Sequence, residues 1–214
     1  MSKTLEQQVK LYPRLEQLPA TVWNQFSVTS FNMLTKKFEQ KDYYQYVNEQ
    51  ARQWSFRCPK LVEIIDSFRS DIICLQEVFS PTFVQEFGNV LKCTKELGFQ
   101  HVMEDTTHHI TCCTLFDPKK FAMVYHEFRS RTVLVLLERL TTEADEKQES
   151  VQDNKEDVDT GCSRYIFVVN VHLEGSPDKW STRFAQIKSV LSRISFRLSE
   201  LVYCKEKIYL KKTA

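Results

Sequence analysis

The sequence predicts a mixed α/β domain, because buried strands and amphipathic helices follow one another along the chain. Residues 71–79 begin with a continuous apolar run and residues 165–171 form another, which is typical of strands covered on both faces. Residues 60–69 and 183–203 instead space their apolar side chains as an α-helix does. Strand and helix patterns in this order indicate a mixed α/β architecture.

The remaining elements are shorter, and local patterns predict them. Residues 26–31 alternate with β-branched and aromatic side chains, which predicts a strand that stops just before Asn32. Residues 34–58 show little periodicity and are predicted as a loop with one or two helical turns. A Ser-Pro pair at 80–81 supplies an N-cap and a first helical position for a helix that ends near Gly98. Further strands are predicted at 112–116, 121–126 and 132–138.

The helix predicted over 183–203 carries an apolar stripe along its whole length. The members of the stripe recur at helical spacing: Phe184, Ile187, Val190, Leu191, Ile194, Leu198, Leu201 and Val202. A stripe of this kind usually packs against a core, so we expect these side chains to be buried.

The composition is that of a globular protein with one ordinary domain. The chain has 214 residues, of which 42% are hydrophobic and 27% are charged. The first ten residues are polar and lack the apolar stretch of a signal peptide, and no apolar run approaches the length of a membrane span. We therefore expect a protein of the cytoplasm, with the nucleus as the alternative.

The distribution of charge divides the chain into regions. We expect a polar lead-in at 1–24, a domain at 25–204 and a basic tail at 205–214. Within the domain, residues 141–164 carry eight acidic and three basic side chains and are predicted to be a surface loop. The net charge of +1 therefore leaves +6 on the rest of the chain, which suits a substrate that bears phosphate.

Seven cysteines are present, an odd number with no C-x-x-C pair. This pattern argues against a disulfide framework and against a structural zinc site. We expect free thiols.

Polar side chains close three of the predicted strands. Asn32 follows the first strand, Glu77 lies in the strand at 71–79, and Asn170 and His172 lie at the end of the strand at 165–171. Side chains at strand ends gather at one rim of such a sheet, where ligands bind. A carboxylate that ends a buried strand needs a partner, and its hard oxygens suit Mg²⁺ or Mn²⁺. Taken singly, each residue is as well explained as an ordinary strand-end or turn residue.

The ordered set of motifs is more specific than any one residue. The motifs are F-N-M-L at 31–34, D-I-I-C-L-Q-E-V at 71–78 and N-V-H-L at 170–173. The set resembles the endonuclease/exonuclease/phosphatase superfamily, and most closely its branch of carbon-catabolite-repressor-type deadenylases, nocturnin and angel proteins. The resemblance covers residues 26–198. It implies a four-layer αββα sandwich of the deoxyribonuclease-I-like type and a metal-dependent phosphodiesterase.

The resemblance also implies roles for individual residues. Glu77 and Asn32 would hold Mg²⁺ or Mn²⁺, and His172 would bind or protonate the phosphate as a catalytic residue. Asn170 is grouped with His172, in a supporting position. Arg57, together with Trp54, would bind substrate. The implied reaction is removal of nucleotides from the 3′ end of RNA, poly(A) above all, with mRNA-decay proteins as partners and other nucleotides as alternative substrates.

Two motifs of the family, G-D-x-N and S-D-H, are absent from the sequence. We therefore expect an incomplete second sheet, about half of the family's active site, and a truncated domain that is inactive if nothing replaces the missing part. One alternative is a non-catalytic module that binds RNA or protein. Its base-stacking segment would be Tyr43, Tyr44, Tyr46, Arg52, Trp54, Phe56 and Arg57. Another is an enzyme of the same class that acts on nicotinamide dinucleotide phosphates or on terminal RNA phosphates.

Overall fold

The computed structural model describes residues 26–38, 44–104, 110–140 and 165–212, with side chains described up to residue 200. Within these ranges the chain forms seven strands in two sheets, with helices packed beside them. The predictions for the lead-in, the acidic segment 141–164, Tyr43 and the side chains of the basic tail lie outside the described residues. The strands are β1 (Val28–Asn32), β2 (Ile72–Phe79), β3 (Gln100–Met103), β4 (Ile110–Phe116), β5 (Phe121–Arg129), β6 (Thr132–Arg139) and β7 (Tyr165–Val171).

The helices differ more from their predicted bounds than the strands do. They are α1 (Glu49–Arg52), α2 (Trp54–Phe68), α3 (Ser80–Phe83), α4 (Lys92–Lys95) and α5 (Trp180–Lys212), with a 3₁₀ turn at Lys36–Phe38. The continuous helix predicted after β2 is wrong. A π-helical turn at Val84–Gly88 follows α3, and the chain then turns before α4. The apolar side chains predicted for it still reach the core, because Phe83, Phe87 and Leu91 are buried.

The first sheet has the order β1-β2-β4-β3, and the second has the order β5-β6-β7. β1 runs parallel to β2, whereas all other neighbouring pairs are antiparallel. The mixed α/β fold is thus confirmed, with two sheets and helices. Within the described residues, the second sheet has three strands.

Two apolar clusters show how the layers pack. The first lies between the helices and the first sheet, where Leu61 and Ile65 of α2 pack with Ile73 and Leu75 of β2. The second lies between the two sheets, and its members come from both: Ile72, Cys74, Val102, Cys112 and Phe116 with Phe121, Val133, Val135, Leu137 and Val168. Alternate residues of β2 therefore face different layers, as the pleat of a strand requires.

Asp71 joins the two sheets at the start of β2. Its carboxylate accepts a hydrogen bond from the Ser27 backbone N–H at 2.7 Å and pairs with the Lys120 ammonium at 2.5 Å. Burial alone would raise the pKa of Asp71, but the hydrogen bonds from Lys120 and Ser27 outweigh it and hold the pKa below its ordinary value. Since Lys120 directly precedes β5, this pair fixes the crossing from the first sheet to the second.

Helix α5 is present, but much of its apolar stripe is not core. Phe184 is 63% exposed and Leu191 is 57% exposed, although Val190 is buried. The helix contacts the second sheet through polar side chains, as where Arg197 donates to the Tyr125 hydroxyl at 2.7 Å. The prediction of a fully buried stripe is therefore wrong, because the buried side of the helix is rotated away from Phe184 and Leu191. None of the described helices has a stretch apolar and long enough to cross a membrane.

The cysteines with described side chains are free thiols, and most of them are buried. Cys74 and Cys112 belong to the cluster between the sheets, whereas Cys93 and Cys113 belong to the cluster beneath the helices. Burial raises the pKa of Cys74 to about 11 and that of Cys112 to about 12. These thiols therefore act as small apolar side chains at neutral pH.

Candidate active site at the ends of β1, β2 and β7

Three of the residues predicted at strand ends meet at one rim of the sandwich. The Asn32 side-chain amide donates to Glu77 Oε1 at 3.0 Å, and His172 Nε2 lies 3.4 Å from the same oxygen. The Glu77 side chain is 9% exposed and that of His172 is 30% exposed, while Asn32 is exposed. A largely buried carboxylate is therefore flanked by two side chains that solvent reaches.

A β-bulge directs Glu77 toward this rim. Leu75 pairs with Cys113 and Val78 pairs with Thr111, so β2 has one residue more than β4 in this interval. Leu75 and Val78 both face the helix-side core, which the pleat of an unbroken strand would not allow. Glu77 itself has a φ of 55°. A left-handed conformation at a residue other than glycine costs about 1–3 kcal/mol, and such strain is found most often at functional sites.

The loop after β1 completes the surroundings of Glu77. The Thr35 backbone N–H donates to Glu77 Oε2 at 3.3 Å, and the Leu34 N–H donates to Asn32 Oδ1 at 2.8 Å. Leu34 also has a left-handed φ, of 51°. Among the described residues, Glu77 is thus held by neutral donors and approached by one histidine.

Arg57 and Trp54 are half-buried and support the loop beside the site. Arg57 Nη2 donates to the carbonyls of Met33 and Leu34 at 2.7 and 2.6 Å, which fixes the loop that contacts Glu77. The Trp54 indole N–H donates to Glu86 at 2.9 Å, and the Arg57 guanidinium stands 5.5 Å from the centre of its ring. The described contacts direct these groups at the protein's own backbone and side chains, and the prediction that Arg57 and Trp54 bind substrate stays a prediction.

Asn170 is likewise a buried residue that supports the site. It is 1% exposed, and its side-chain N–H groups donate to the carbonyls of Leu75 and Cys113 at 3.1 and 2.9 Å. Its Oδ1 accepts from Gln76 Nε2 at 2.8 Å. These contacts give Asn170 a supporting position, and its grouping with the catalytic residues stays a prediction. Gln76 was missed in the sequence, where its position directly before Glu77 was the available signal.

A cleft of about 410 Å³ opens between β1 and β7. Phe26, Val28 and residues 166–171 line it, with Gln76 and Asn170 at its polar side. Glu77 and His172 do not line this cleft, so the reactive groups lie on the rim beside it.

The donor atoms at the rim fit a hard divalent cation. Glu77 offers a carboxylate, and Asn32 offers an amide oxygen that already accepts one N–H. Mg²⁺ commonly keeps several waters and binds proteins through only one or two carboxylates, so this small set is sufficient. The described residues contain no group of three or more His, Cys, Asp or Glu side chains that would form a complete protein cage.

Comparison with known proteins identifies relatives of the chain. No family model matches it. The Ccr4 subunit of the CCR4-Not complex from Candida glabrata, a 3′-5′-exoribonuclease, is 31% identical over 110 residues, which are 48% of this chain and 13% of that protein. Protein angel homolog 2 of Bos taurus is 27% identical over 178 residues, covering 80% of this chain and 31% of the relative. The CCR4-NOT transcription complex subunit 6-like of Danio rerio is 26% identical over 209 residues, which cover 87% of this chain and 37% of the relative.

Solved structures share the fold at lower identity. ANGEL2, described as a 2′,3′-cyclic phosphatase, superposes with a TM-score of 0.55 at 24% identity over 77% of this chain and 47% of that one. The human Nocturnin catalytic domain gives 0.50 at 18% identity over 79% and 58%. The chain thus spans 13–37% of the three curated relatives above and about half of these two solved domains. The chain is therefore similar in sequence to Ccr4 and angel proteins, and it shares its fold with ANGEL2 and the Nocturnin catalytic domain.

Proposed function

We propose that this chain carries the metal-binding part of an Mg²⁺-dependent phosphodiesterase that removes nucleotides from the 3′ end of RNA. The observation that carries the proposal is that Asn32 and His172 both approach the same carboxylate oxygen of Glu77. The similarity to Ccr4, named as a 3′-5′-exoribonuclease, supports RNA as the substrate. Poly(A) is our first candidate within that class.

Each residue at the rim has a distinct part in the proposed reaction. Glu77 and Asn32 would hold the cation, which would be Mg²⁺ or, as a substitute, Mn²⁺. When bound, the cation would neutralise charge on the phosphate oxygens and lower the pKa of bound water. His172 is exposed enough to donate a hydrogen bond to a phosphate oxygen, and its backbone N–H is anchored on the Arg131 carbonyl at 2.9 Å. Thr35 and Asn32 keep the Glu77 carboxylate directed at the rim through their N–H groups.

A non-catalytic role is the second candidate. It is favoured by the rim, which offers one carboxylate among the described residues. In this alternative the chain binds RNA or a protein partner. Of the predicted stacking segment, the described aromatic side chains Tyr46 and Phe56 are exposed.

A nuclease assay tests the proposal. The purified protein is incubated with 5′-labelled oligo(A) in Mg²⁺, in Mn²⁺ and in EDTA, beside Glu77→Gln and the matched carboxylate control Glu127→Gln. We expect metal-dependent shortening from the 3′ end that Glu77→Gln abolishes and Glu127→Gln preserves. Binding of oligo(A) without shortening would support the non-catalytic module, and shortening that survives Glu77→Gln would refute the assigned site.

The substrate class has its own arms in the same assay. RNA that ends in a 2′,3′-cyclic phosphate and a nicotinamide dinucleotide phosphate replace oligo(A) under the same metal conditions. We propose that oligo(A) is the fastest of the three. Faster turnover of either of the others would keep the site and change the substrate.

The cellular setting is also a proposal. Two of the relatives are named as subunits of the CCR4-Not complex. We propose a cytoplasmic protein that works beside mRNA-decay proteins. Microscopy of the tagged protein and affinity capture with those complexes as the specific readout test this, and an exclusively nuclear signal would overturn the location.

A further inference from the structure

A side chain of the second sheet donates hydrogen bonds to the backbone beside the β-bulge that directs Glu77. The ladder between β2 and β4 is regular up to Leu75 and Cys113 and then shifts register. The carbonyl oxygens of these two residues receive N–H groups from the Asn170 side chain of the other sheet, at 3.1 and 2.9 Å. A side chain from β7 thus binds the last regular pair of the ladder, directly before the bulge.

Gln76 holds Asn170 in the orientation that these two hydrogen bonds need. Gln76 Nε2 donates to Asn170 Oδ1 at 2.8 Å, and it also approaches Ser30 Oγ and the Cys74 carbonyl at 3.1 Å. The bond to Gln76 settles which end of the Asn170 amide faces the carbonyls, because an amide flip would place oxygen against oxygen at both contacts. Gln76 is 7% exposed and Asn170 is 1% exposed, so water competes little for these bonds.

We infer that Gln76 and Asn170 form an amide pair that positions Glu77 for its cation. The inference rests on the proposed function and assigns a role to Gln76 within it. Gln76 directly precedes Glu77 on β2, and Asn170 lies two residues before His172 on β7. The pair therefore also sets the separation between Glu77 and His172, which come from different sheets. Both members are positioning residues, since neither reaches the rim.

Two variants separate positioning from plain stability. Gln76→Met keeps the side-chain volume and removes the N–H donors. Val135→Ala is the matched control, because Val135 is fully buried between the same two sheets and touches neither amide in the described contacts. Mn²⁺ affinity is measured by electron paramagnetic resonance, and urea unfolding is measured on the same samples. We expect Gln76→Met to weaken Mn²⁺ binding about 10- to 100-fold, the range for residues that orient metal ligands. Val135→Ala should lose stability and keep the affinity.

An NMR signal reports the same geometry without metal. The Asn32 side-chain amide donates a hydrogen bond to Glu77 Oε1. The chemical shift of its proton in Glu77→Gln therefore serves as the reference for an amide that has lost its carboxylate partner. We expect Gln76→Met to move the wild-type resonance at least half of the way to that reference and Val135→Ala to leave it in place. If Gln76→Met does not fold, Thr114→Val removes one acceptor of the Asn170 amide, and a smaller shift in the same direction is expected.

The outcomes are separable. Wild-type Mn²⁺ affinity and an unmoved Asn32 resonance in Gln76→Met would overturn the inference, as would equal effects of Gln76→Met and Val135→Ala. If the wild-type protein binds no Mn²⁺, the proposed metal-dependent function fails, and the Asn32 resonance alone decides whether Gln76 positions Glu77.

Discussion

Glu77 and Glu127 are two glutamates of similar burial with opposite surroundings. The Glu77 side chain is 9% exposed and that of Glu127 is 15% exposed. Neutral donors and one histidine surround Glu77. Glu127, on the outer face of β5, is surrounded by charge instead: Arg129 at 2.8 Å, Arg193 at 3.2 Å, Arg197 at 3.8 Å and the Tyr125 hydroxyl at 2.5 Å.

The difference shows that the partners of a buried carboxylate, rather than its burial, indicate its role. Burial alone would raise the pKa of Glu127, but the Tyr125 hydrogen bond and the three arginines outweigh it and lower the pKa. The Glu127 carboxylate is thus paired with arginines of α5, and these ion pairs hold the helix on the second sheet. Among the described residues, Glu77 accepts hydrogen bonds from neutral groups and has one histidine nearby, which leaves its carboxylate available for a metal ion. Each prediction below either breaks or sharpens this contrast.

The largest expected effect is on metal affinity at Glu77. Glu77→Gln should weaken Mn²⁺ binding by more than about 100-fold, because it removes the one carboxylate that the described part of the chain supplies to a site that needs one or two. Glu127→Gln should change the affinity by less than about twofold, within the usual range for remote sites. Titration followed by electron paramagnetic resonance measures both, and equal losses in the two variants would contradict the contrast.

A smaller effect is expected from Arg57, which anchors the loop beside the rim. Arg57→Met should weaken Mn²⁺ binding about tenfold, because the loop that presents Thr35 to Glu77 loses its anchor on the Met33 and Leu34 carbonyls. Arg197→Met is the control, since Arg197 contacts the Glu127 cluster. Affinity that falls equally in both variants would show that the anchor has no specific role.

Stability should show the reverse order. Glu127→Gln should lower the free energy of unfolding by about 1 kcal/mol, because partly exposed ion pairs contribute up to about that much and are screened by solvent. Glu77→Gln should change it by less than about 0.5 kcal/mol, since residues kept for function are seldom optimised for stability. Urea unfolding in low salt measures both values. A larger loss in Glu77→Gln than in Glu127→Gln would mean that Glu77 is a structural residue.

The smallest expected effect is the pH dependence of the Glu127 contribution. Its pKa in the folded chain lies below the ordinary value of 4.5. The contribution is therefore complete above pH 4.5 and disappears as the pH falls through the lowered folded-state pKa. The difference in unfolding free energy between the wild type and Glu127→Gln, followed from pH 6 to pH 3, should shrink in that direction. A difference that grows in acid would refute the assignment.

The positions of Asn32, Glu77 and His172 could be predicted from sequence, because a polar residue that ends an apolar strand is a local signal. The bulge at Glu77 could not. It depends on the register with β4 and on the Asn170 amide from the other sheet, and neither is written near Glu77. The contacts of the Arg57 side chain could not be predicted for the same reason, because its acceptors lie on a loop more than twenty residues earlier.

The helices show the same limit. The period of the stripe in α5 predicts a helix from the sequence alone, yet it does not say which side a sheet will cover. Arg193 and Arg197 have partners on β5, and these contacts orient the helix so that Phe184 and Leu191 face outward. After β2, three apolar residues at helical spacing reach the core through a chain that leaves the helix between Gly88 and Lys92.

The buried cysteines provide reporters of how the layers separate. Thiol reagents attack the thiolate, so thiols whose pKa burial has raised react only when their surroundings open. Cys74 and Cys112 would record the parting of the two sheets, and Cys93 and Cys113 would record the departure of the helices. A slow alkylating reagent in native buffer would modify the two pairs in a certain order. That order would show whether the sheets separate before or after the helices detach. A protein whose sheets part first would expose the Gln76–Asn170 pair before any helix is lost.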